Sequence, residues 1–438
     1  MYVADSRGMP PAQAGPAPHT GAEAAGPRPR AAVAPTVLAL GTVSLVTDVS
    51  AEMVTAVLPL YLVAGLGLSP LGLGLVDGLY NGVSALVRLV GGHLADRSGR
   101  HKAVAGLGYA LSALCKPLLL VVHTLPLIGA VLAADRTGKG LRTAPRDALI
   151  SLASAPGECG RAFGVHRAMD TAGALLGPLA AFLILREAAG GYDAVFAVSG
   201  CVALLGVLVL VLFVPGRRRA PGPPAGGPGD SGDSGGPGRV TLRASLGLLR
   251  RPALRRTCLC ALLLGLTTVG DAFVFLLLQR RTGLADRWFA LLPLGTAAAF
   301  LLLALPLGRL ADRAGPWRVF LGGHLALLAG YGLLLGPWRG AALPYAVLLL
   351  HGLFYAATDG VLMAAAADAV PEELRAGGLA LVQTGQALAR FLGSLAFGAA
   401  WTAWGERPAL LLAGTGLALA AALAVRLRPP RTPEEDPA

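Results

Sequence analysis

Two carboxylates, Asp48 and Glu52, lie four residues apart in the first long apolar run of the sequence. In a helix this spacing places both side chains on one face. Two carboxylates this close in a low-dielectric environment do not both ionise easily, so one of them can take up a proton near neutral pH. This chemistry suits proton coupling. The alternative is that fixed basic partners neutralise both carboxylates.

A second group of ionisable residues lies in the fourth apolar run. Helical steps of about 100° place Arg136, Lys139 and Asp147 on one stripe, together with Thr143. An ionised side chain in hydrocarbon costs about 2.5–3.5 kcal/mol on insertion scales, so this stripe is expected to face protein or water. Its basic residues, with Arg142, could bind a carboxylate or a phosphate, which keeps the uptake of a small anion open.

Single carboxylates occur in two later apolar runs. Asp271, in the seventh run, is interpreted as lining a polar path through the membrane. Asp359, in the tenth run, either lines the same path or ends a helix.

Other polar groups in the apolar runs are interpreted structurally. Arg167 and Asp170 are three residues apart and are expected to pair. The long side chains of Lys116 and Arg390 are expected to reach the ends of their helices and snorkel. The remaining group consists of histidines interpreted as packing residues, with pH sensing as the alternative: His166, His324 and His351.

The composition requires a membrane around these residues. Hydrophobic residues make up 54% of the 438-residue chain and charged residues 14%, with a mean hydropathy of +0.63. Soluble proteins carry roughly 25% charged residues, so this chain is expected to use lipid as part of its solvent. The net charge of +12 is attributed to arginines between the apolar runs, following the positive-inside rule, and not to nucleic-acid binding.

Twelve apolar runs of about 20 residues predict twelve transmembrane helices and an all-α integral membrane protein. The predicted spans are 36–65, 71–95, 103–122, 124–150, 163–185, 194–214, 257–279, 287–307, 318–336, 341–364, 377–401 and 408–427. The arginine-rich connections lie on one side, which predicts both termini in the cytoplasm and insertion in the plasma membrane.

The composition also predicts five segments. They are a disordered cytoplasmic tail (1–33), an N-terminal six-helix bundle (34–214), a cytoplasmic linker that can include an amphipathic helix (215–256), a C-terminal six-helix bundle (257–428) and a cytoplasmic tail (429–438). The linker is rich in Pro, Gly and Ser, a composition that does not form a packed core.

An internal repeat relates the two bundles. The sequence GHLADRSG at Gly92–Gly99 recurs as GRLADRAG at Gly308–Gly315, an offset of 308 − 92 = 216 residues. Two parallel six-helix repeats account for this offset. The glycines allow close packing or sharp turns, and Asp96 and Asp312 can bond across the two bundles in one state and release in another.

These motifs resemble those of the major facilitator superfamily. Gly92–Arg100 resembles the signature of its loop between helices two and three, and Gly308–Gly315 resembles the counterpart between helices eight and nine. Arg136-x-x-x-Gly140 is similar to its helix-four motif, with Lys139 in place of the usual amide. The cytoplasmic gate residues implied are Gly92, Asp96, Arg97, Gly99 and Arg100 in the first copy and Gly308, Asp312, Arg313 and Gly315 in the second.

A further motif, Gly173-x-x-x-Gly177-Pro178, is similar to one found in antiporters of the superfamily. The alternative is a general small-residue device for close helix packing. The stretches 44–53 and 136–147 look like a large bacterial branch of the superfamily.

The resemblance implies two pseudo-symmetric six-helix bundles, with helices one, four, seven and ten around a central cavity. The residues expected on the proton or substrate path are Asp48, Glu52, Arg136, Lys139, Asp147, Asp271 and Asp359. The implied function is proton-coupled efflux of a small molecule by alternating access, carried out by a monomer in the lipid bilayer. Ion-coupled uptake of a small organic anion is the alternative.

A membrane enzyme and a sensor that transports nothing are the remaining alternatives. The sequence contains no G-x-S-x-G, no H-E-x-x-H and no phosphate-binding G-x-x-x-x-G-K-[ST]. The cysteines and histidines show no metal-ligand spacing. The sequence therefore predicts no enzyme activity, no cofactor and no metal.

Overall fold

The structure is a computed structural model. It describes residues 34–80, 82–83, 87, 100–154, 159–188, 191–215, 250, 252–338, 340–359, 361–362 and 375–427. Across these ranges the chain is mostly helical and contains no β-strand, which confirms the predicted all-α class. The predicted terminal tails 1–33 and 429–438 lie outside the described residues.

The first half contains six helices. Their bounds are α1 Pro35–Leu60, which continues as a π-helical turn at Tyr61–Gly65, α2 over 70–80, α3 His101–Leu118, α4 Leu125–Ala153, α5 Cys159–Glu187 and α6 Tyr192–Phe213. Helix α1 packs against α5 and α6, and α3 packs against α4 and α6. The first half therefore has its own packed interior.

The second half repeats this plan with its first helix in two pieces. Its bounds are α7a Pro252–Thr267, α7b Asp271–Thr282, α8 Leu292–Ala314, α9 Pro316–Leu335, α10 Ala342–Thr358, α11 Arg375–Trp404 and α12 Glu406–Arg426, with a single turn at Asp286–Phe289 before α8. Helix α10 packs against α8 and α9, and α11 packs against α7a and α12. Helix α7a begins inside the predicted linker 215–256, most of which lies outside the described residues.

Seven helices among the described residues are long and apolar enough to cross a membrane. They are α1 with its π-helical turn, α5, α6, α7a with α7b, α8 with the turn before it, α9 and α12. Helix α10 is apolar but only 17 residues long. Helix α4 carries charged residues along much of its length. The count of twelve spans therefore stays a prediction, while the helical architecture agrees with it.

The break in α7 is the main departure from the predicted spans, because 257–279 was expected to be one helix. The chain is extended at Gly270, and the Tyr331 hydroxyl accepts a hydrogen bond from the Val269 N–H at 2.7 Å. A Cβ atom on Gly270 would lie 2.5 Å from Oδ2 of Asp77, so a larger residue would have to displace that carboxylate. The break places Asp271 at the first position of α7b.

The two halves contact each other closely through α2 and α11. A Cβ atom on Gly74 would lie 2.4 Å from the carbonyl oxygen of Ser394. A Cβ atom on Gly398 would lie 2.5 Å from the carbonyl oxygen of Pro70. Since Pro70 begins α2, this contact lies at the end of the molecule that carries the connection between α1 and α2.

Candidate functional site

A cavity of about 390 Å³ lies between the two halves. Its size is within the usual range for small-molecule sites. Helices α1 and α2 of the first half and α7b, α8, α10 and α11 of the second supply its walls. Its ionisable side chains are Glu52, Asp77, Asp271, Asp359 and Arg390, and its aromatic side chains are Tyr80, Phe275, Phe300, Phe354 and Tyr355.

Among the described residues that line this cavity, carboxylates outnumber basic groups by four to one. Three of the four carboxylates, Glu52, Asp271 and Asp359, were predicted to lie on the path. The prediction missed Asp77, although an acidic residue in the second apolar run obeys the same rule. Arg390 was expected to snorkel, which is wrong, because its guanidinium neighbours the cavity carboxylates.

Two side chains of α10 form hydrogen bonds with the carboxylate of Asp271. The Tyr355 hydroxyl donates to Oδ1 of Asp271 at 2.6 Å, and Nε2 of His351 lies 3.1 Å from the same oxygen. His351 is 2% exposed, whereas the Asp271 side chain is 47% exposed. His351 is therefore a partner of a cavity carboxylate, and its interpretation as a packing residue was incomplete.

Glu52 lines the cavity in a different environment. No described residue forms a hydrogen bond or an ion pair with its carboxylate. Helix α5 covers the base of the side chain, where a Cβ atom on Gly177 would lie 2.7 Å from the Cβ atom of Glu52. Gly173 makes a similar contact with the backbone of Leu45, so both glycines of the helix-five motif allow α5 to pack closely against α1.

Asp48 faces away from the cavity, toward α4. Nη2 of Arg142 lies 3.3 Å from Oδ1 of Asp48, and both side chains are mostly buried. The Arg142 guanidinium also lies over the Tyr109 ring, 4.5 Å from its centroid. The alternative of a fixed basic partner therefore describes Asp48, but not Glu52.

Arg136 belongs to a buried cluster between α4, α3 and α2. Asp135 accepts hydrogen bonds from Lys116 Nζ at 2.8 Å and from Arg136, and the Arg136 guanidinium lies 3.8 Å from the centroid of the Tyr80 ring. Lys116 is 3% exposed, so the expectation that it snorkels is wrong. Arg136 does not line the cavity and is not placed to bind an anion there.

Lys139 and Asp147 also lie outside the cavity wall. Asp147 accepts a hydrogen bond from Arg146 at 2.9 Å, and Arg146 lies 3.7 Å from Asp170. Arg167 pairs with Asp170 at 3.6 Å, as predicted. Among the described residues, no acceptor lies within hydrogen-bonding distance of Lys139 Nζ.

Comparison with known sequences decides the family. The sequence profile of the Major Facilitator Superfamily matches residues 40–337 and 288–438. The chain belongs to the major facilitator superfamily. It is a multi-pass membrane transporter of this type, and the predicted all-α fold of the superfamily is confirmed.

One relative matches most of the chain, and another matches less than half of it. An MFS-type transporter of Methanocaldococcus jannaschii is 29% identical over 372 residues, which are 83% of this chain and 87% of that protein. A protein of Mycobacterium tuberculosis is 35% identical over 187 residues, covering 43% of this chain and 45% of that protein.

Two solved structures of transporters share the fold. The nucleoside transporter NupG superposes with a TM-score of 0.73 at 13% identity, covering 90% of this chain and all of that one. A bacterial homolog of the human lysosomal transporter Spinster, in an inward-facing and unoccupied conformation, has a TM-score of 0.72 at 16% identity. It covers 91% of this chain and 98% of that one. At these identities the similarity concerns the fold.

The loop signatures of the superfamily are only partly within the described residues. Gly92, Asp96, Arg97 and Gly99 lie outside them, and Arg100 precedes α3. Gly315 has φ +90° and makes the expected sharp turn between α8 and α9. A Cβ atom on Gly308 would meet nothing within 4 Å, so the expected close packing of this glycine is not found in this conformation. Asp312 and Arg313 are exposed at the end of α8.

Proposed function

We propose that this transporter is a proton-coupled antiporter that exports a small, partly apolar compound. The observation that supports it is the excess of carboxylates in the cavity shared by the two halves, where four face one arginine. Ionised carboxylates are costly in such a site unless a proton or a bound ligand compensates them. Protons and substrate can therefore exclude each other, which is the requirement for antiport.

The placement of the carboxylates supports alternating access. Glu52 and Asp77 belong to the first half, and Asp271 and Asp359 belong to the second. Movement of one half against the other therefore changes the surroundings of both groups. With cytoplasmic termini, as the arginine distribution indicates, the closed contact between α2 and α11 lies on the external side of the plasma membrane.

Uptake of a small organic anion is the second candidate, and Arg390 is the observation that favours it. Arg390 lines the cavity and could bind a carboxylate. Of the other basic residues expected to serve an anion, Arg142 pairs with Asp48, Arg136 pairs with Asp135, and Lys139 lies outside the cavity wall. Export is therefore the better supported direction.

The decisive experiment uses the full chain in proteoliposomes. Compounds that raise its melting temperature in a thermal-shift screen are tested for transport with an acidic lumen. Antiport predicts that the compound accumulates in the vesicles, that a proton ionophore abolishes accumulation, and that Glu52→Gln loses it. Asp193→Asn is the control, because Asp193 is an exposed carboxylate on α6 outside the cavity. Counterflow of a labelled anion that ignores the pH gradient would overturn the proposal in favour of uptake.

A further inference from the structure

Two carboxylates of the cavity, Glu52 from the first half and Asp271 from the second, have different surroundings. We propose that Asp271 anchors a positively charged group of the substrate, that His351 positions it, and that Glu52 carries the exchanged proton. This inference rests on the proposed antiport and assigns its two ligands to separate residues. The transported compound is accordingly a cation with an apolar or aromatic body.

The hydrogen bonds to Asp271 leave one of its oxygens for a ligand. Tyr355 and His351 both reach Oδ1, at 2.6 Å and 3.1 Å. No described residue forms a hydrogen bond with Oδ2. The carboxylate lines the cavity, with its side chain about half exposed. Two donors on one oxygen favour the ionised carboxylate, and the second oxygen can then accept a cation.

The buried ring of His351 determines which donor faces Asp271. Its Nδ1 atom is buried and has no hydrogen-bond partner among the described residues. The rings of Phe275 and Phe354 lie with their centroids 6.0 Å and 6.2 Å away. A buried N–H without an acceptor is costly, so the proton of the neutral ring belongs on Nε2. In this tautomer Nε2 donates to Asp271, which makes His351 the positioning residue of the anchor.

The remaining charged groups near Asp271 do not cancel its charge. They are Arg390 of α11, Asp77 of α2 and Asp359 after α10. The one arginine is shared among three carboxylates, so a net negative charge remains around the anchor. The aromatic side chains of the cavity provide apolar contact and ring faces, which attract cations. These groups fit a substituted ammonium or phosphonium ion.

Glu52 has the surroundings of a proton carrier. No described residue donates a hydrogen bond to it, so no direct contact offsets the loss of solvent around the ionised form. The charged or titratable groups that face it are Lys139 and Arg136 of α4, Lys116 of α3, Tyr80 of α2 and Asp48 one turn earlier on α1, while α5 presents Gly177. Lys116 and Arg136 are bound to Asp135, and Lys139 forms no hydrogen bond or ion pair with Glu52. The exchanged proton is therefore assigned to the Glu52 carboxylate.

Equilibrium binding to the full chain in lipid nanodiscs tests this assignment. The probes are radiolabelled tetraphenylphosphonium, two smaller quaternary ammonium ions (benzyltrimethylammonium and tetraethylammonium), and triphenylphosphine oxide as the neutral comparison. We expect the wild type to bind at least one cation, and more tightly at alkaline than at acidic pH. Asp271→Asn should weaken this binding at least about tenfold, since it removes a charged partner.

The positioning role of His351 is tested by loss and rescue. His351→Ala should weaken binding about fivefold, because one donor to Asp271 is lost. His351→Gln should restore most of the affinity, because its amide N–H can donate in place of Nε2. His351→Leu fills the site without a donor, so a role limited to packing predicts that it restores the affinity as well as His351→Gln does. His324→Ala is the control, because His324 is equally buried but bonds only to the backbone of Phe320.

Glu52→Gln separates the two ligands. We expect this variant to bind the cation with an affinity that no longer depends on pH, and to lose accumulation driven by a pH gradient.

The inference is wrong if Asp271→Asn binds like the wild type, if none of the three cations binds, or if Glu52→Gln keeps the pH dependence. If cation binding requires Asp271 but a pH gradient never drives transport, the anchor stands and the proposed antiport fails. If a pH gradient drives transport equally in wild type and Asp271→Asn, the antiport stands and the anchor fails.

Discussion

The Ser394 hydroxyl of α11 donates a hydrogen bond to the carboxylate of Asp77 on α2, and this bond joins the two halves beside the break in α7. Gly270 packs against the same pair, because a Cβ atom there would lie 2.5 Å from Asp77 Oδ2 and 2.8 Å from Ser394 Oγ. The contact between the halves and the break that presents Asp271 therefore share one small polar junction. Movement of α2 relative to α11 must disturb both.

Enlarging a glycine at the contact between α2 and α11 should open that end of the transporter. Gly74→Leu places a side chain where even a Cβ atom meets the Ser394 carbonyl at 2.4 Å. We expect a longer distance between spin labels at positions 71 and 404, measured by electron–electron resonance in a background without native cysteines. Transport should fall at least about tenfold, because the closed state is lost. Gly385→Leu is the control, since nothing lies within 4 Å of its Cβ position; equal distances in both variants would contradict the prediction.

Removing Asp48 should destabilise the first half, since its partner Arg142 is almost completely buried. Breaking a buried ion pair from one side costs about 3–5 kcal/mol. We expect Asp48→Asn and Arg142→Gln each to lower the stability against denaturant, and the double variant to lose less than the two single losses added together. Additive losses would show that the pair is not coupled. Arg167→Gln serves as the comparison, because that side chain is 80% exposed.

Asp135→Asn should be among the most damaging single changes in α4. The Asp135 carboxylate accepts hydrogen bonds from Lys116 and Arg136, and all three side chains are at most 4% exposed. Its loss leaves two buried cations without their acceptor, at a cost of about 3–5 kcal/mol. The folded fraction recovered after detergent extraction and the midpoint of denaturation measure this effect.

A matched change on the same helix is Asp147→Asn. The Asp147 side chain is 42% exposed and pairs with Arg146, so its loss should cost only about 0–1 kcal/mol. A similar stability for the Asp135 and Asp147 variants would contradict the structural role assigned to the Asp135 cluster.

The helix-five motif should be sensitive to a single added methyl group. Gly177→Ala would place its Cβ atom 2.7 Å from the Cβ atom of Glu52 and 2.8 Å from the carbonyl oxygen of Val49. Overpacking of this kind costs about 1–3 kcal/mol. Gly164→Ala, on the same helix with nothing within 4 Å, should be tolerated. Both variants are compared by thermal unfolding and by transport, and equal behaviour would mean that close α1–α5 packing is not required.

The rule that an intramembrane carboxylate has a function or a partner identified most of the acidic residues of the cavity. It predicted Glu52, Asp271 and Asp359, and it applies equally to Asp77, which was not singled out. The rule could not say whether a given carboxylate has a basic partner or faces the cavity. Asp48 and Glu52 share one face of α1, yet Asp48 pairs with Arg142 of α4 and Glu52 reaches the cavity.

Sequence patterns could not predict which residues from distant parts of the chain contact each other. His351 was indistinguishable from His324 in the sequence, because both lie in apolar runs. Their difference arises because α10 packs beside α7b, which brings Asp271 within 3.1 Å of His351, while His324 packs among phenylalanine rings and hydrogen-bonds to the backbone of its own helix. The break that positions Asp271 depends in the same way on Tyr331 of α9.

The sequence by itself determined the membrane environment, the helical class and the duplicated plan, since these follow from hydropathy and from the repeat that relates Asp96 to Asp312. Hydropathy and the repeat are properties of the linear sequence and do not depend on how the helices are arranged. Tertiary structure alone decided which charges are neutralised and which face the cavity. The free energy of a charge in a membrane protein depends on its neighbours across helices, and Arg142 beside Asp48, without an equivalent beside Glu52, divides two otherwise similar acids into different roles.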